Sequence, residues 1–127
     1  MNIVDARKIA DRGIATAQTK RLPVSIAIVD EFAMLVQLDR LDNAALASPE
    51  IAEAKAVTAM KLNRRTSELS KLNSEELKSL REAVPFKIMS QPGGVPIVRG
   101  GTVIGAVGVS GGNDEQNEEL ALFLAAE

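Results

Sequence analysis

The sequence contains no cysteine, histidine, tryptophan or tyrosine. Without cysteine, the chain cannot form disulfides, use a thiolate nucleophile, or bind zinc or an iron–sulfur cluster through sulfur. Without histidine, it lacks the commonest general base and metal ligand, so a Ser-His-Asp triad, a histidine-bound metal and a His-ligated haem are excluded. The only aromatic residues are Phe32, Phe86 and Phe123, which provide no platform for stacking single-stranded nucleic acid.

The remaining composition is that of an ordinary globular protein. Of 127 residues, 46% are hydrophobic and 25% are charged, which is enough for a core within a single domain over residues 1–127. The net charge of −2 gives no overall attraction to nucleic acid or to an anionic membrane. No apolar run reaches the length of a membrane span, and charges at Asp5, Arg7 and Lys8 interrupt the N-terminal segment, unlike a secretory signal. We therefore expect a soluble, cytoplasmic protein.

Helical and strand patterns alternate in blocks along the chain. Apolar residues recur at helical spacing over 3–21, and short β-branched runs at 23–30 and 33–40 predict a hairpin. The later predicted elements are a helix capped by Ser48 with Pro49 in its first turn, short helices over 67–72 and 75–83 capped by Thr66 and Ser74, strands on either side of Gly100-Gly101, and a last helix beginning at Asn113. This order indicates the α+β class, with a mostly antiparallel sheet flanked by helices. The last helix ends in LALFLAA, which is apolar on nearly every side and favours a subunit contact.

The segment QPGGVPIVRGGTVIGAVGVSGG is the richest in glycine. Gly105 and Gly108 within a strand allow either a packed element or a ligand to approach the backbone closely. Its spacing does not match a phosphate loop or a dinucleotide fingerprint. The backbone amides after Ser110 open onto the last helix, where either an anion or an Asn113 cap could satisfy them, and we favour the cap, with Gln116 three residues later. Ser110 itself is interpreted as a structural serine, since no histidine is present to activate it.

Basic and hydroxyl residues follow one another along the alanine-rich helix. Lys55 and Thr58 are three positions apart and share a helix face, and Arg65 follows near the helix end. They form either a solvated stripe or, with backbone amides, an anion pocket. Asp30 and Asp39 end the two hairpin strands and are interpreted as turn formers. The methionines Met34, Met60 and Met89 are expected to fill the core, with haem ligation as the alternative.

Three stretches, IVDEFAMLVQLDRLDNAALAS, SPEIAEAKAVTAMKLNRRT and GGVPIVRGGTVIGAVGVSGGNDEQNEELA, together resemble the GlcG/HbpS family, also called the haem-degrading or PduO C-terminal-like domain. The resemblance covers roughly residues 3–126. It implies a profilin-like domain with a central antiparallel sheet, for which we expect five strands, and assembly into homo-oligomers. Some members bind haem, and many have no established activity. The positions carried over by motif match are Lys55, Thr58, Gly93, Gly94, Pro96, Gly105, Gly108, Ser110 and Gly111.

The chain departs from the family pattern in two places. Members that hold haem through histidine have one to offer, and this sequence has none. The turn of the first hairpin commonly runs Asp-x-x-Gly in the family, whereas here it runs Asp30-Glu31-Phe32-Ala33. The first departure excludes His-ligated haem, and the second predicts a remodelled turn.

The resulting hypothesis is an oligomeric small-molecule-binding accessory protein of the GlcG/HbpS type, whose ligand is haem held without His or Cys, or a small organic acid. We expect no bound metal, nucleic acid or membrane. The alternative is a catabolic lyase, isomerase or hydrolase acting on a small carboxylated or oxygenated metabolite, with acid–base and anion-clamp roles for Lys55, Asp30 and Arg65. A purely structural role is the third possibility. The predicted ligand-binding residues are Lys55, Thr58, Arg65, Gly93, Gly94, Gly108, Ser110 and Gly111.

Overall fold

The computed structural model describes residues 1–126, which run in the order helix, two strands, three helices, two strands, helix. The elements are α1 (Ile3–Thr19), β1 (Ser25–Asp30), β2 (Leu35–Arg40), α2 (Ser48–Leu62), α3 (Thr66–Leu69), α4 (Ser74–Ala83), β3 (Gly94–Arg99), β4 (Thr102–Ser110) and α5 (Asp114–Ala125). The prediction of an α+β fold with an antiparallel sheet flanked by helices is confirmed.

The sheet has four strands in the order β2-β1-β4-β3, and every neighbouring pair is antiparallel. The expectation of a fifth strand is wrong. The segment between α4 and β3 contains Pro85 and Pro92, which have no N–H to donate to a strand ladder. Within that segment the Met89 N–H donates instead to the Thr58 hydroxyl, 3.1 Å away. This stretch is therefore hydrogen-bonded to α2 and does not join the sheet.

The two faces of the sheet are covered differently because alternate strand residues point to opposite sides. On one face, Ile26 and Ile28 pack with α1 and α5 in a core of large aliphatic side chains. On the other face, Ala27, Val29 and Ala106 pack against the alanines of α2. Small residues on both partners bring the backbone of α2 close to the sheet. This close contact fixes the position of the α2 side chains that face β4.

Three helices begin differently from the prediction. The N-cap positions are Ala47, Arg65 and Asn73 rather than Ser48, Thr66 and Ser74. The Asn73 side chain accepts from the Glu76 N–H at 2.8 Å, so asparagine supplies the cap one residue before the serine. Ser48 instead hydrogen-bonds the buried Ser25 hydroxyl at 2.8 Å.

The turns follow the local sequence closely. Gly100 and Gly101 have φ values of 58° and 78°, as a two-residue hairpin turn requires. In the first hairpin, Ala33 takes the left-handed conformation, with φ of 60°, at the position where the family commonly has glycine. The Asp30 carboxylate holds this turn by accepting from the N–H groups of Phe32 and Met34, at 2.9 and 3.0 Å. Asp30 is therefore a turn former, as predicted.

Candidate functional site

Lys55 is the one lysine that the structure buries, with 3% of the residue exposed. It lies between Ala52 and Ala56 in the sequence of α2, and these two alanines pack against the sheet. Its Nζ donates to the backbone carbonyl of Val109, 3.0 Å away. The close packing of α2 thus holds a primary amine against the end of β4.

Glu118 lies between Gly93 and Arg65, two of the residues proposed for ligand binding. Its Oε1 accepts from the Gly93 N–H at 3.3 Å, and its Oε2 lies 3.9 Å from the guanidinium of Arg65. Lys55 also lies next to Gly93, since a Cβ placed on that glycine would be 3.1 Å from Nζ. The structure therefore brings together Lys55, Arg65 and a backbone amide, with the carboxylate of the chain's own α5 among them. We call Lys55, Arg65, Gly93 and Glu118 the lysine cluster.

Burial lowers the pKa of the Lys55 amine from its usual 10.5, and the nearby carboxylates of Asp114 and Glu118 partly oppose this shift. Desolvation disfavours the charged ammonium, while negative charges favour it. Desolvation is the larger effect here. The neutral amine, which is the nucleophilic and basic form, is thus more accessible for Lys55 than for an ordinary lysine.

This shift predicts how stability depends on pH. Between the lowered pKa of the folded state and 10.5, the unfolded chain binds more protons than the folded one, so stability attributable to Lys55 rises with pH. We expect the free energy of unfolding of wild type to gain on that of Lys55→Met as the pH rises towards 10.5, measured by urea denaturation. Lys78→Met, on exposed α4, is the control and should follow wild type in parallel. Parallel profiles for Lys55→Met as well would contradict the shift.

Thr58 and Thr66 tie α2 and α3 to neighbouring backbone. The Thr58 hydroxyl donates to the Ala54 carbonyl at 2.7 Å and accepts from the Met89 N–H. The Thr66 hydroxyl accepts from the Gly94 N–H at 2.8 Å and is fully buried. These bonds satisfy both hydroxyls within the protein. They position the strand that follows Gly93 against the lysine cluster.

The predicted glycines have close backbone neighbours. A Cβ at Gly108 would overlap the carbonyl oxygen of Ala52, and one at Gly94 would overlap that of Lys55. In this structure the element that approaches these two glycines is therefore α2. Gly93 and Gly111 have φ values of 127° and 121°, a conformation that side chains disfavour.

The start of α5 is capped by its own side chains, as favoured from the sequence. Asn113 accepts from the Gln116 N–H at 2.8 Å, and Gln116 accepts from the Asn113 N–H at 3.0 Å. The Asn117 side chain accepts from the Gly112 N–H and donates to the Gly112 carbonyl. Ser110 ends β4 beside Ser25 and is 6% exposed. The amides of Gly112 and Asn113 are thus bonded within the chain.

A cavity of about 490 Å³ opens between the end of α1 and the end of β2, away from the lysine cluster. Arg21 lies at its edge with φ of 55°, in the position after a helix where glycine is usual. The side chain of Arg40 also lines it and donates to the Ala44 carbonyl at 2.9 Å. The lining combines apolar and charged residues: Ile14, Ala17, Gln18, Arg21, Leu22, Pro23, Asp39, Arg40, Leu41, Asp42 and Asn43.

Sequence reasoning missed both Glu118 and this cavity. The only signal for Glu118 was its spacing of four from Asp114, which places both on one helix face. The cavity forms where residues of 14–23 lie against residues of 39–43, and no local sequence pattern predicts this contact. The structure does not bring Asp30 to Lys55, because Asp30 pairs with Gly105 at the opposite end of β1 from the Ser25–Ser110 pair.

Two findings apply to the described residues, one on metal binding and one on membrane-spanning helices. Within residues 1–126, no group of three or more acidic side chains is placed to hold a metal ion. The helices in that range are too short or too polar to span a lipid bilayer.

Several known proteins are similar over nearly the whole chain. An uncharacterised 15.0 kDa protein of Citrobacter freundii is 34% identical over 95% of this chain and 87% of its own length. The corrinoid adenosyltransferase PduO of Salmonella typhimurium is 32% identical over 92% of this chain, which spans only 35% of that enzyme.

Two crystal structures have the same fold. Protein ORFY of Klebsiella pneumoniae superposes with a TM-score of 0.91 at 29% identity, over 98% of this chain and 88% of ORFY. A PduOC:heme complex superposes with a TM-score of 0.88 at 30% identity, over 98% of this chain and 92% of PduOC. The family described as haem-degrading protein HbpS-like matches residues 1–125. The chain therefore belongs to the HbpS-like family, as its motifs predicted.

Proposed function

We propose that this protein is a cytoplasmic, homo-oligomeric accessory protein that binds a small molecule, either haem or a small organic acid. The observation that carries this proposal is the cavity between α1 and β2, in a chain whose fold matches that of a haem complex. Concave sites with an apolar lining and a few polar groups are where small ligands bind. Exposed apolar residues such as Phe32, Leu46 and Phe123, at 77%, 88% and 51%, support the oligomer.

The residues present do not fit a haem iron held by His, Cys or Tyr, since the sequence has none. The lining of the cavity fits an amphipathic carboxylate better. Ile14, Leu22 and Leu41 offer apolar contact, and the guanidinium groups of Arg21 and Arg40 can each bind a carboxylate through two parallel hydrogen bonds. Haem propionates and small organic acids share this carboxylate chemistry. The protein's contribution would be burial of the apolar part and a fixed position for the acid group.

A haemin titration followed by Soret absorbance tests the proposal. We expect saturable binding to wild type, weakened about tenfold in Arg21→Asn, because an Arg–carboxylate hydrogen bond contributes about 1.5 kcal/mol. Asparagine tolerates the left-handed backbone at this position, so the variant removes the charge without forcing the turn. Arg7→Gln, on the exposed part of α1, is the matched control.

The outcomes separate the two ligands. A saturable Soret band that Arg21→Asn weakens and Arg7→Gln does not would support haem. No band, with succinate raising the melting temperature of wild type but not of Arg21→Asn, would support a small organic acid. No saturable haemin band and no succinate effect would overturn the proposal. Light scattering that shows a monomer at micromolar concentration would contradict the oligomer.

A second candidate function is favoured by one observation, the buried amine of Lys55 beside Glu118. This pair supplies a nucleophile or base and a proton carrier. The corresponding function is a catabolic enzyme acting on a small carboxylated or oxygenated metabolite, with Arg65 as the anion clamp. Turnover by such an enzyme should be lost in Lys55→Met while the far-ultraviolet circular dichroism spectrum is kept, and undiminished turnover would remove this candidate.

A further inference from the structure

Charged residues of both signs line the cavity between α1 and β2. Arg21 and Arg40 supply the positive charges, and Asp39 and Asp42 supply the negative ones. Within the part of the chain that the structure describes, none of these four residues takes part in an ion pair. A ligand with a carboxylate alone would bring its negative charge close to two carboxylates of the protein, which opposes binding. The lining therefore favours a ligand that carries charges of both signs.

Two of these charges are held in place by hydrogen bonds within the protein. The Arg40 guanidinium donates to the Ala44 carbonyl at 2.9 Å. One carboxylate oxygen of Asp39 accepts from the Gln37 side chain, also at 2.9 Å, so its other oxygen is left for a ligand. Because Arg40 is already engaged with Ala44, we assign the ligand's carboxylate to Arg21 and its cationic group to the aspartates.

The inner wall of the cavity is apolar, whereas its rim is charged. Leu22 and Leu41 are half-buried and pack against the core between α1, α5 and the sheet. Ala17, which also lines the cavity, is fully buried. Arg21 and Asp42 are exposed. A ligand with an apolar body and a charged head can thus place its body against the leucines and its head among the charges.

The backbone conformation at the rim also points to a binding site. Four non-glycine residues within residues 1–126 have positive φ, and two of them, Arg21 at 55° and Asn43 at 68°, line this cavity. The turn that contains Asn43 is closed by a hydrogen bond of 3.1 Å from the Ala44 N–H to the Leu41 carbonyl. Left-handed backbone is uncommon for arginine, and such conformations cluster at ligand sites. The two turns therefore present the charged rim from fixed backbone positions.

We propose that the α1–β2 cavity binds the zwitterion of an amino acid with a large apolar side chain. The ligand carboxylate pairs with Arg21, and its ammonium group donates to Asp39 and Asp42. The apolar side chain lies against Leu22 and Leu41. The cavity volume of about 490 Å³ lies within the range of roughly 300–1,000 Å³ that is typical of small-ligand pockets. The inference rests on the proposed function, because it specifies which small organic acid this cavity takes.

Isothermal titration calorimetry with three matched ligands tests the zwitterion. Phenylalanine carries both charges, 3-phenylpropanoate lacks the ammonium group, and 2-phenylethylamine lacks the carboxylate. We expect phenylalanine to bind at least about tenfold more tightly than either analogue, because each analogue loses one set of charge-assisted hydrogen bonds. Equal binding of 3-phenylpropanoate and phenylalanine would overturn the zwitterion and leave the carboxylate-binding function standing. No saturable binding of phenylalanine would also overturn the inference, while the haemin and succinate measurements decide the proposed function separately.

Substitutions at the rim assign the two ends of the ligand. We expect Arg21→Asn to weaken the binding of both phenylalanine and 3-phenylpropanoate about tenfold. Asp39→Asn keeps an oxygen that accepts from Gln37, and it should weaken phenylalanine about fivefold without weakening 3-phenylpropanoate. Asp42→Asn repeats this test at the second carboxylate. Asp11→Asn, exposed on α1 and outside the cavity lining, is the matched control. A loss in Asp11→Asn equal to those in the two rim aspartate variants, or no loss in either of them, would overturn the assignment.

Discussion

Gly108→Ala is expected to destabilise the protein by about 3 kcal/mol, one of the two largest effects predicted here. A Cβ at this position on β4 would overlap the carbonyl oxygen of Ala52 and lie 2.8 Å from the backbone N of Ala56. Both are backbone atoms of α2, so neither can rotate aside. The helix must move off the sheet and open the alanine-lined core. Thermal unfolding should show a melting temperature lower by roughly 10 °C.

Gly112→Ala is the matched control for this substitution. The nearest atoms to a Cβ at Gly112 belong to the side chains of Gln116 and Asn117, the closest at 2.9 Å. Because side chains can shift, we expect a loss of under about 1 kcal/mol. Equal losses for the two variants would mean that the approach of α2 is not what limits position 108.

The other large effect is expected for Leu124→Ala, at about 3 kcal/mol. Leu124 is fully buried in the core between α1, α5 and the sheet. Truncation removes the side chain that packs over Gly13, where a Cβ would lie 3.0 Å from Leu124 Cδ1. Chemical denaturation measures the loss. Leu122→Ala, on the same helix and 38% exposed, should cost under about 1 kcal/mol, and an equal cost at both positions would contradict this packing.

A double substitution refines this second prediction. Gly13→Ala adds a methyl group next to the space that Leu124→Ala empties, and alanine stabilises a helix by about 1 kcal/mol relative to glycine. In wild type the added methyl would press on Ile26 Cδ1 at 2.7 Å and on Leu124. We therefore expect the change in the free energy of unfolding caused by Gly13→Ala to be more favourable in the Leu124→Ala background than in wild type. Additive effects would contradict direct packing of the two residues.

The packing also explains why buried polar groups surround the candidate site. Small residues on α2 and β4 bring two backbones together, and several polar side chains on α2 and α3 are buried nearby. Lys55, Thr58 and Thr66 are examples, and each has a hydrogen bond to backbone. Within residues 1–126, no buried side-chain nitrogen or oxygen lacks a partner. Close packing of α2 on the sheet therefore accounts for the buried polar groups of the candidate site.

The sequence by itself determined the features that a few neighbouring residues control. The Gly100-Gly101 turn, the Asn113–Gln116 capping box and the left-handed Ala33 turn held by Asp30 depend on side chains within four positions of the backbone they satisfy. The family motifs also come from continuous stretches of sequence. The start of α4 differed by one residue because the adjacent Asn73 and Ser74 can both cap a helix, and Asn73 accepts from the Glu76 N–H.

Only the tertiary structure decided which groups meet across the chain. Lys55 reaches Val109, and Glu118 reaches Gly93 and Arg65, over separations of 54, 25 and 53 positions. Within residues 1–126 the segment before β3 does not join the sheet, and its Met89 N–H donates instead to Thr58, 31 positions earlier in the chain. A local sequence pattern shows which polar groups need a hydrogen-bond partner. Tertiary packing decides which partner each group meets, and it also sets the burial, the pKa values and the cavities. The sequence left open whether Lys55 and Arg65 belong to a solvated stripe or to an anion pocket, and the fold decided that Glu118 contacts both Gly93 and Arg65.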